Sequence, residues 1–382
     1  MLRRICPWYL TVVSVCAICD AQASWPQPGG DRPSHQDAVT ERQRHQRERN
    51  PPATPDEVLL KYCQRLQAGG TVIHRGPLVL GKHGATLVGL SRGYSKLIVR
   101  PDRGESGGFA AIHVNSCYDT TIRDLVIEVE GEWDYGLLLD RRVKERAAHA
   151  ARVRDVYVMG KFRNAAVGDY GAEVYVLDGC GFANYLDGGD AVFETRGLHE
   201  AVATESAGGP GPDGAAELWS NCNKRIYACS FLARAPLTCI ARIGAGTHNI
   251  VFRDCEISAN VLDVEGGPAI DAMFTVGTAN LPDDRTTRSW KVIGRLVIEG
   301  GGTHFEGRGV RHFMRLEAGK GQTRMRDLTL RDFNTEYRGD SAFAGFPAMK
   351  TMPRGAYEVP VPDPSICEGV WFRKLPRRPS KP

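Results

Sequence analysis

Apolar positions along this chain recur in a six-residue phrase rather than at helical spacing. Ile122-Arg123-Asp124-Leu125-Val126-Ile127 returns as Val153-Arg154-Asp155-Val156-Tyr157-Val158 and as Phe252-Arg253-Asp254-Cys255-Glu256-Ile257. Met325-Arg326-Asp327-Leu328-Thr329-Leu330 is a further copy, and Ile226-Tyr227-Ala228-Cys229-Ser230-Phe231 is the phrase without its charged pair. The first, fourth and sixth positions are apolar each time. Six residues are too few for a helix to bury a stripe of its own, and β-branched and aromatic residues dominate, so each copy predicts a short strand. Val153 to Ile226 and Phe252 to Met325 both span 73 residues, and Ile226 to Phe252 spans 26. A unit of roughly 24 residues fits all three gaps, with three units in each long one. A one-strand unit cannot bury its apolar face alone, so the repeat implies a stacked solenoid.

Before the first copy the period changes. Thr54-Pro55-Asp56-Glu57 reads as a capping box, with Thr at the cap and Pro at the first helical position. Val58, Leu59, Tyr62, Cys63 and Leu66 follow on one helical face, and Gly69-Gly70 stops the helix. Such a helix would cover the apolar end that a solenoid's first coil leaves open. Short strands are then expected at Thr71–Ile73, Leu78–Leu80, Ala85–Leu87 and Leu97–Val99, with Gly-containing turns between them. The helix, Gly69-Gly70-Thr71-Val72-Ile73, a Gly-Pro turn, Ala85-Thr86-Leu87-Val88-Gly89-Leu90-Ser91-Arg92-Gly93 and Leu97-Ile98-Val99 together resemble the opening of the pectin-lyase-like right-handed parallel β-helix superfamily. Arg75-Gly76-Pro77 departs from that family's Pro-Pro-Gly-x-Tyr turn. The resemblance covers residues 56 to 335 and implies an all-β, right-handed parallel β-helix of about ten or eleven coils with a short N-terminal capping helix. It fixes no reaction, because this fold hosts many.

Composition sets the surroundings. Arg3-Arg4, a mostly apolar run from Ile5 to Cys19 and Ala21-Gln22-Ala23 match a signal peptide cut after Ala23. Residues 24–53 have the composition of a disordered spacer, 54–337 carry the β-helix pattern, and 338–382 read as an irregular cap with a basic tail. The expected location is therefore secreted or periplasmic, with no membrane span once the signal is removed. The formal charge of +4 comes from the tail and the signal region; without them the body is about −2. A body so close to neutral gives no reason to expect nucleic acid as a partner. Eight cysteines follow the signal, and an exported chain permits disulfides. Yet Cys229 and Cys255 take the apolar fourth position of the phrase, with Cys180 in a related one, which favours small hydrophobes stacked in register. No CxxC suggests a metal site, and neither a P-loop nor a G-x-S-x-G nucleophile elbow is present.

Candidate chemistry lies where the phrase is interrupted, in residues 140–151 and the Gly-rich, acidic stretch 187–221. Asn184-Tyr185-Leu186-Asp187-Gly188-Gly189-Asp190 holds two carboxylates in a Gly turn, with Asp169 one coil earlier. Inverting glycoside hydrolysis uses a carboxylate pair roughly 6.5–9.5 Å apart. Polygalacturonases on this fold use Asp clusters on successive coils, a Gly-His-Gly and an Arg-Ile-Lys. Asp187 with Asp190, Gly197-Leu198-His199 and Arg225-Ile226-Tyr227 resemble these, but the acids are not adjacent, the His motif is interrupted and Tyr stands where Lys is required. A lyase instead needs a base and a cation beside the uronate carboxylate; Lys224, Arg225, His199, His248 and Arg242 are the candidates. Glu194, Glu205, Asp213 and Glu217 are oxygen ligands for a Ca²⁺ that such a lyase would use. The catalytic set is thus Asp187, Asp190, His199 and Arg225, and the substrate-binding set Asp169, Lys224, Trp219 and Tyr185, with no resident metal assigned. Ordinary Asp-Gly turn chemistry and loop packing are the competing accounts. The expected function is an exported carbohydrate-active β-helix that binds an extracellular polysaccharide and cleaves it as a lyase or glycoside hydrolase. The alternative left open is a non-catalytic surface, adhesion or structural β-helix.

Overall fold

The computed structural model describes residues 52–115, 117–140, 150–196, 222–244, 246–261, 269–278, 292–307, 310–318, 324–337, 366–368 and 371–374. The signal segment, most of the spacer, His199 and Trp219 lie outside these residues.

The chain is an all-β parallel β-helix with an N-terminal helix. That helix spans Asp56–Gln67 and buries Leu59, Cys63 and Leu66, as the apolar spacing requires. The capping box does not form. Pro55 occupies the cap position, and the Thr54 hydroxyl instead accepts a hydrogen bond from the Val79 amide at 2.9 Å. Thr54 is committed to joining the helix to the first coil, which satisfies a strand donor in place of a helix donor.

Each turn of the chain then lays strand on three faces. On the first, Thr71–Arg75 pairs with Lys96–Arg100, which pairs with Val126 to Val129 inside the long strand Thr121–Asp140. Gly181–Asn184, Ser230–Ala233 and Glu256–Val261 continue this face. The second runs through Ser106–Asn115, the later halves of Thr121–Asp140 and Arg152–Tyr170, then Phe193–Arg196, Leu237–Ile243, Ile270–Thr278 and Val310–Ala318. The third stacks Val176–Asp178, Cys222–Tyr227, His248–Arg253, Val292–Glu299 and Arg324–Arg331. All these pairings are parallel, so every coil repeats the direction of the one before it.

The phrase marks the corner between the third face and the first. Its third residue adopts a left-handed backbone: Asp124, Asp155 and Asp254 have φ of 63°, 51° and 54°. That region is costly for most residues and tolerated by Asp, Asn and Gly. Elsewhere in the same column Gly179 and Gly300 do the job, with φ of 62° and 66°. At Gly300 a Cβ would also stand 2.1 Å from the Asp254 carboxylate below. The Asp is therefore a corner residue. Its Arg neighbours stay at the surface in pairs such as Arg123–Asp124 at 2.8 Å and Arg253–Glu299 at 2.9 Å.

Register corrects the repeat length. Val153 stacks on Leu177 and Leu177 on Ile226, so the first 73-residue gap holds two coils rather than three. Phe252 stacks on Ile298 and Ile298 on Leu330. The true corner in that last coil is Leu330-Arg331-Asp332-Phe333, with Asp332 at φ 51°, while Met325 to Asp327 lies within the strand. Nine strand segments stack on the third face among the described residues, counting Thr86–Val88 at one end and Ile366–Glu368 at the other. The first face stacks ten strand segments among the described residues, close to the ten or eleven coils expected, but the coils are of unequal length. Past Tyr337, where the phrase is no longer readable, Ile366–Glu368 and Trp371–Lys374 still join the ladders.

Inward side chains fill the interior in register. Phe182 and Phe231 stack with centroids 5.6 Å apart, and edge contacts carry the series through Phe252, Phe274, Phe313 and Phe333. Each buried ring contributes on the order of 1.5–3 kcal/mol. Cys180, Cys229 and Cys255 are buried free thiols at the fourth position of the phrase, as the sequence pattern implied. Burial pushes the Cys255 thiol up to about 12.

Candidate functional site

The densest chemistry lies on the outward side of the second face. In Phe193–Arg196, Phe193 belongs to the interior core, so strand alternation turns Glu194 and Arg196 outward. Register stacks Glu194 between Gly168 and Arg242. Tyr135, on an adjoining coil, reaches Glu194 across Gly168. A Cβ at Gly168 would lie 2.6 Å from the Tyr135 ring, so only glycine leaves that passage.

Glu194 is fully buried. The Tyr135 hydroxyl donates to its Oε2, and the Arg196 guanidinium lies 2.8 Å from Oε1. Arg242 Nε stands 3.8 Å from the same Oε1, and Arg242 Nη2 donates to Asp190 Oδ1 at 3.0 Å. One guanidinium thus spans two carboxylates. The hydroxyls of Tyr170 and Tyr135 are 2.8 Å apart, and Arg196 lies over the Tyr170 ring at 5.6 Å. Burial first, and the Glu194 charge second, hold the Tyr135 phenol well above its ordinary range, which keeps it a proton donor. Exposure rises outward, from Glu194 at 0% through Arg242 at 17% to Asp190 at 29%.

Asp190 owes its position to Asn184. That buried amide accepts from the Phe162 and Leu186 amides and donates to the Phe162 and Ala191 carbonyls, all within 3.0 Å. With both oxygen and nitrogen satisfied, it fixes the turn that carries Asp187 to Asp190. The Asp190 amide then donates to the Arg163 carbonyl, and the Arg163 side chain pairs with Asp134 at 2.6 Å. Beyond Arg163 opens a groove of about 550 Å³ at the corner of the first and second faces. Tyr185, Lys161, Glu105, Glu128, Glu130 and Glu132 line it. Lys96 and Arg100 offset two of these acids, at 2.9 Å from Glu128 and 2.7 Å from Glu130. Further pairs continue along the second face. His113 and Asp140 are buried 2.9 Å apart, and Asp271 receives Arg311 and Arg315.

The residues singled out from sequence are distributed as follows. Asp190 is in the cluster and Tyr185 is a half-exposed wall of the groove. Asp187 is exposed in the turn before Gly188. Arg225 is exposed on the third face, between Val176 and Val251, and is not brought together with Asp190. Asp169 and Lys224 point into the interior and pair with each other at 2.7 Å. His199 and Trp219 lie outside the described residues, as do Glu205, Asp213 and Glu217. Sequence reasoning missed the joint role of Glu194, Tyr135 and Arg196. The available signal was the alternation Phe193-Glu194-Thr195-Arg196, a strand pattern with two charges on one side.

Among the described residues no three His, Cys, Asp or Glu side chains gather to hold a metal ion, and no helix is long and apolar enough to cross a membrane. No protein-family model matches the chain, and neither a curated protein nor a solved structure shows detectable similarity to it.

Proposed function

We infer that this protein is an exported carbohydrate-active β-helix of the pectin-lyase-like type, which binds a uronate-containing polysaccharide in the groove and cleaves it at Asp190 and Glu194. The observation that carries this reading is the single guanidinium of Arg242 between the two carboxylates. One cation, 3.0 Å from one acid and 3.8 Å from the other, holds two carboxylates on one surface, the kind of pair that glycoside hydrolysis uses. Tyr185 supplies an aromatic wall for a sugar ring, and the paired acids of the groove leave little net charge to repel the chain.

Hydrolysis follows from the difference in burial. Asp190 is the more exposed and faces the Arg242 guanidinium, which makes it the carboxylate placed to meet water as the base. Glu194 is dry and balanced by Arg196. The deeper Glu194, beside the Tyr135 hydroxyl, is then assigned the acid's place in the pair. The test is release of reducing ends from a panel of uronate and neutral polysaccharides, read beside the ultraviolet absorbance of unsaturated uronate. Reducing ends without that absorbance support hydrolysis; the absorbance turns the assignment to a lyase. Neither signal, with no retention on any glycan, would sink the reading.

A second reading has one observation in its favour. Glu194 has no exposed surface, as expected of a purely structural ion network in a non-catalytic adhesion β-helix. Glycan binding without cleavage, unaffected by Asp190→Asn, selects it.

A further inference from the structure

A fully buried lysine is rare in any protein, and this one is inside a β-helix. Lys224 points inward from Cys222–Tyr227, in line with the core residue Ile250 of the next coil. Asp169 points inward from Arg152–Tyr170, stacked between Leu139 and Thr195. Lys224 Nζ donates to Asp169 Oδ1 at 2.7 Å and to the Ala172 carbonyl at 3.0 Å. The Tyr175 hydroxyl donates to Asp169 Oδ2 at 2.8 Å, and its ring lies 4.9 Å from the ammonium nitrogen. The side chains are 0% and 1% exposed. Taking both ions out of water costs several kcal/mol each, and their attraction repays this only with near-ideal geometry.

We propose that Lys224 and Asp169 condense into an intramolecular isopeptide bond, with no enzyme or cofactor. Burial is the driving force for the first step. Desolvation is the largest influence on Asp169 and pushes its carboxyl up, against the pull of Lys224. A proton passed from Nζ to the carboxylate replaces two buried ions by a neutral amine and a neutral acid, which are the reactive partners. A desolvated lysine amine is an effective nucleophile, and contact distance replaces a bimolecular encounter. The amine attacks Cγ, forming the Nζ–Cγ bond. Oδ2, held by the Tyr175 hydroxyl, leaves as water with the carboxyl proton and one proton from the nitrogen, and Oδ1 remains as the amide oxygen. Tyr175 donates at Oδ2 and is restored by the proton released from nitrogen. Burial keeps that phenol protonated well above its ordinary range. Nothing is oxidised or reduced. The product ties two coils together across a sequence separation of 55 between Asp169 and Lys224, a stretch that includes the strand carrying Glu194.

The purified full-length protein, denatured and weighed intact, is expected to lack one water relative to its sequence. Digestion is expected to give a branched peptide joining the segments that hold Asp169 and Lys224. Lys224→Met should restore the full mass. Full mass with two linear peptides, after prolonged incubation of the folded wild-type protein, overturns the proposal without recourse to any variant. A water deficit that persists in Lys224→Met overturns it as well.

Discussion

The corner column and the outward side of the second face are built on the same stacked register, yet they treat sequence in opposite ways. At the corner the backbone sets the requirement. A left-handed residue must recur on every coil, and the column holds Asp124, Asp155, Gly179, Ala228, Asp254, Gly300 and Asp332. On the second face the side chains set it. Gly168, Glu194, Arg242, Thr275 and Arg315 occupy one column, and each differs in chemical type from the residues stacked on it. Stacking like on like suits a structural corner. A site needs unlike groups on adjoining rungs, because hydrogen bonds and ion pairs join complements.

The largest expected effect is on activity. Asp190→Asn and Glu194→Gln should each lower cleavage by about 10²–10⁴-fold, the usual worth of a general acid or base, while circular dichroism and melting show the fold intact. Gly168→Ala should lower activity through the displaced Tyr135 ring, and normal activity in that variant would remove the tyrosine from the account.

Stability separates the regions next. Phe231→Ala, in the interior stack, should cost about 3–5 kcal/mol in urea denaturation. Gly300→Ala should cost about 1–3 kcal/mol from its left-handed backbone, with a further loss from collision with Asp254. Asp124→Gly, at the equivalent corner, should be nearly neutral, and equal losses at the two positions would break the corner explanation. Thiol chemistry gives a pH test of the interior. The buried Cys239 and Cys255 thiols are pushed up to about 12, so the nucleophilic thiolate is scarce below that pH. Alkylation at neutral pH should therefore reach them only on unfolding, and modification of the native protein would contradict the packing. The smallest effect is expected for Lys96→Ala. It removes a surface pair with Glu128 and should shift stability by no more than about 1 kcal/mol.

The fold was legible because its cause is local and repeated. An apolar residue, an Arg, an Asp and a second apolar residue report a strand end, a left-handed corner and a new strand. The coil length was not legible, because Leu177 and Ile298 stack in the column without an Arg-Asp pair, whereas Met325-Arg326-Asp327 has the pair without the corner. From sequence the site showed Asp190 and Tyr185 together in one Gly turn, while Glu194 and Arg242 stood only as separate candidates for lyase chemistry. Its other members come from three coils and meet through register alone: Tyr135, Glu194 and Arg242 are far apart in the chain. Asp169 and Lys224 have loop-like neighbours in sequence, but strand alternation turns both inward.

The central claim is that function lies on the second face and not on the third. Wild type, Asp190→Asn, Glu194→Gln and Arg225→Ala should be compared on the polysaccharide that the wild type cleaves fastest. The account predicts losses of about 10²-fold or more for both acid variants and activity near wild type for Arg225→Ala. A loss confined to Arg225→Ala, with both acid variants fully active, would contradict it.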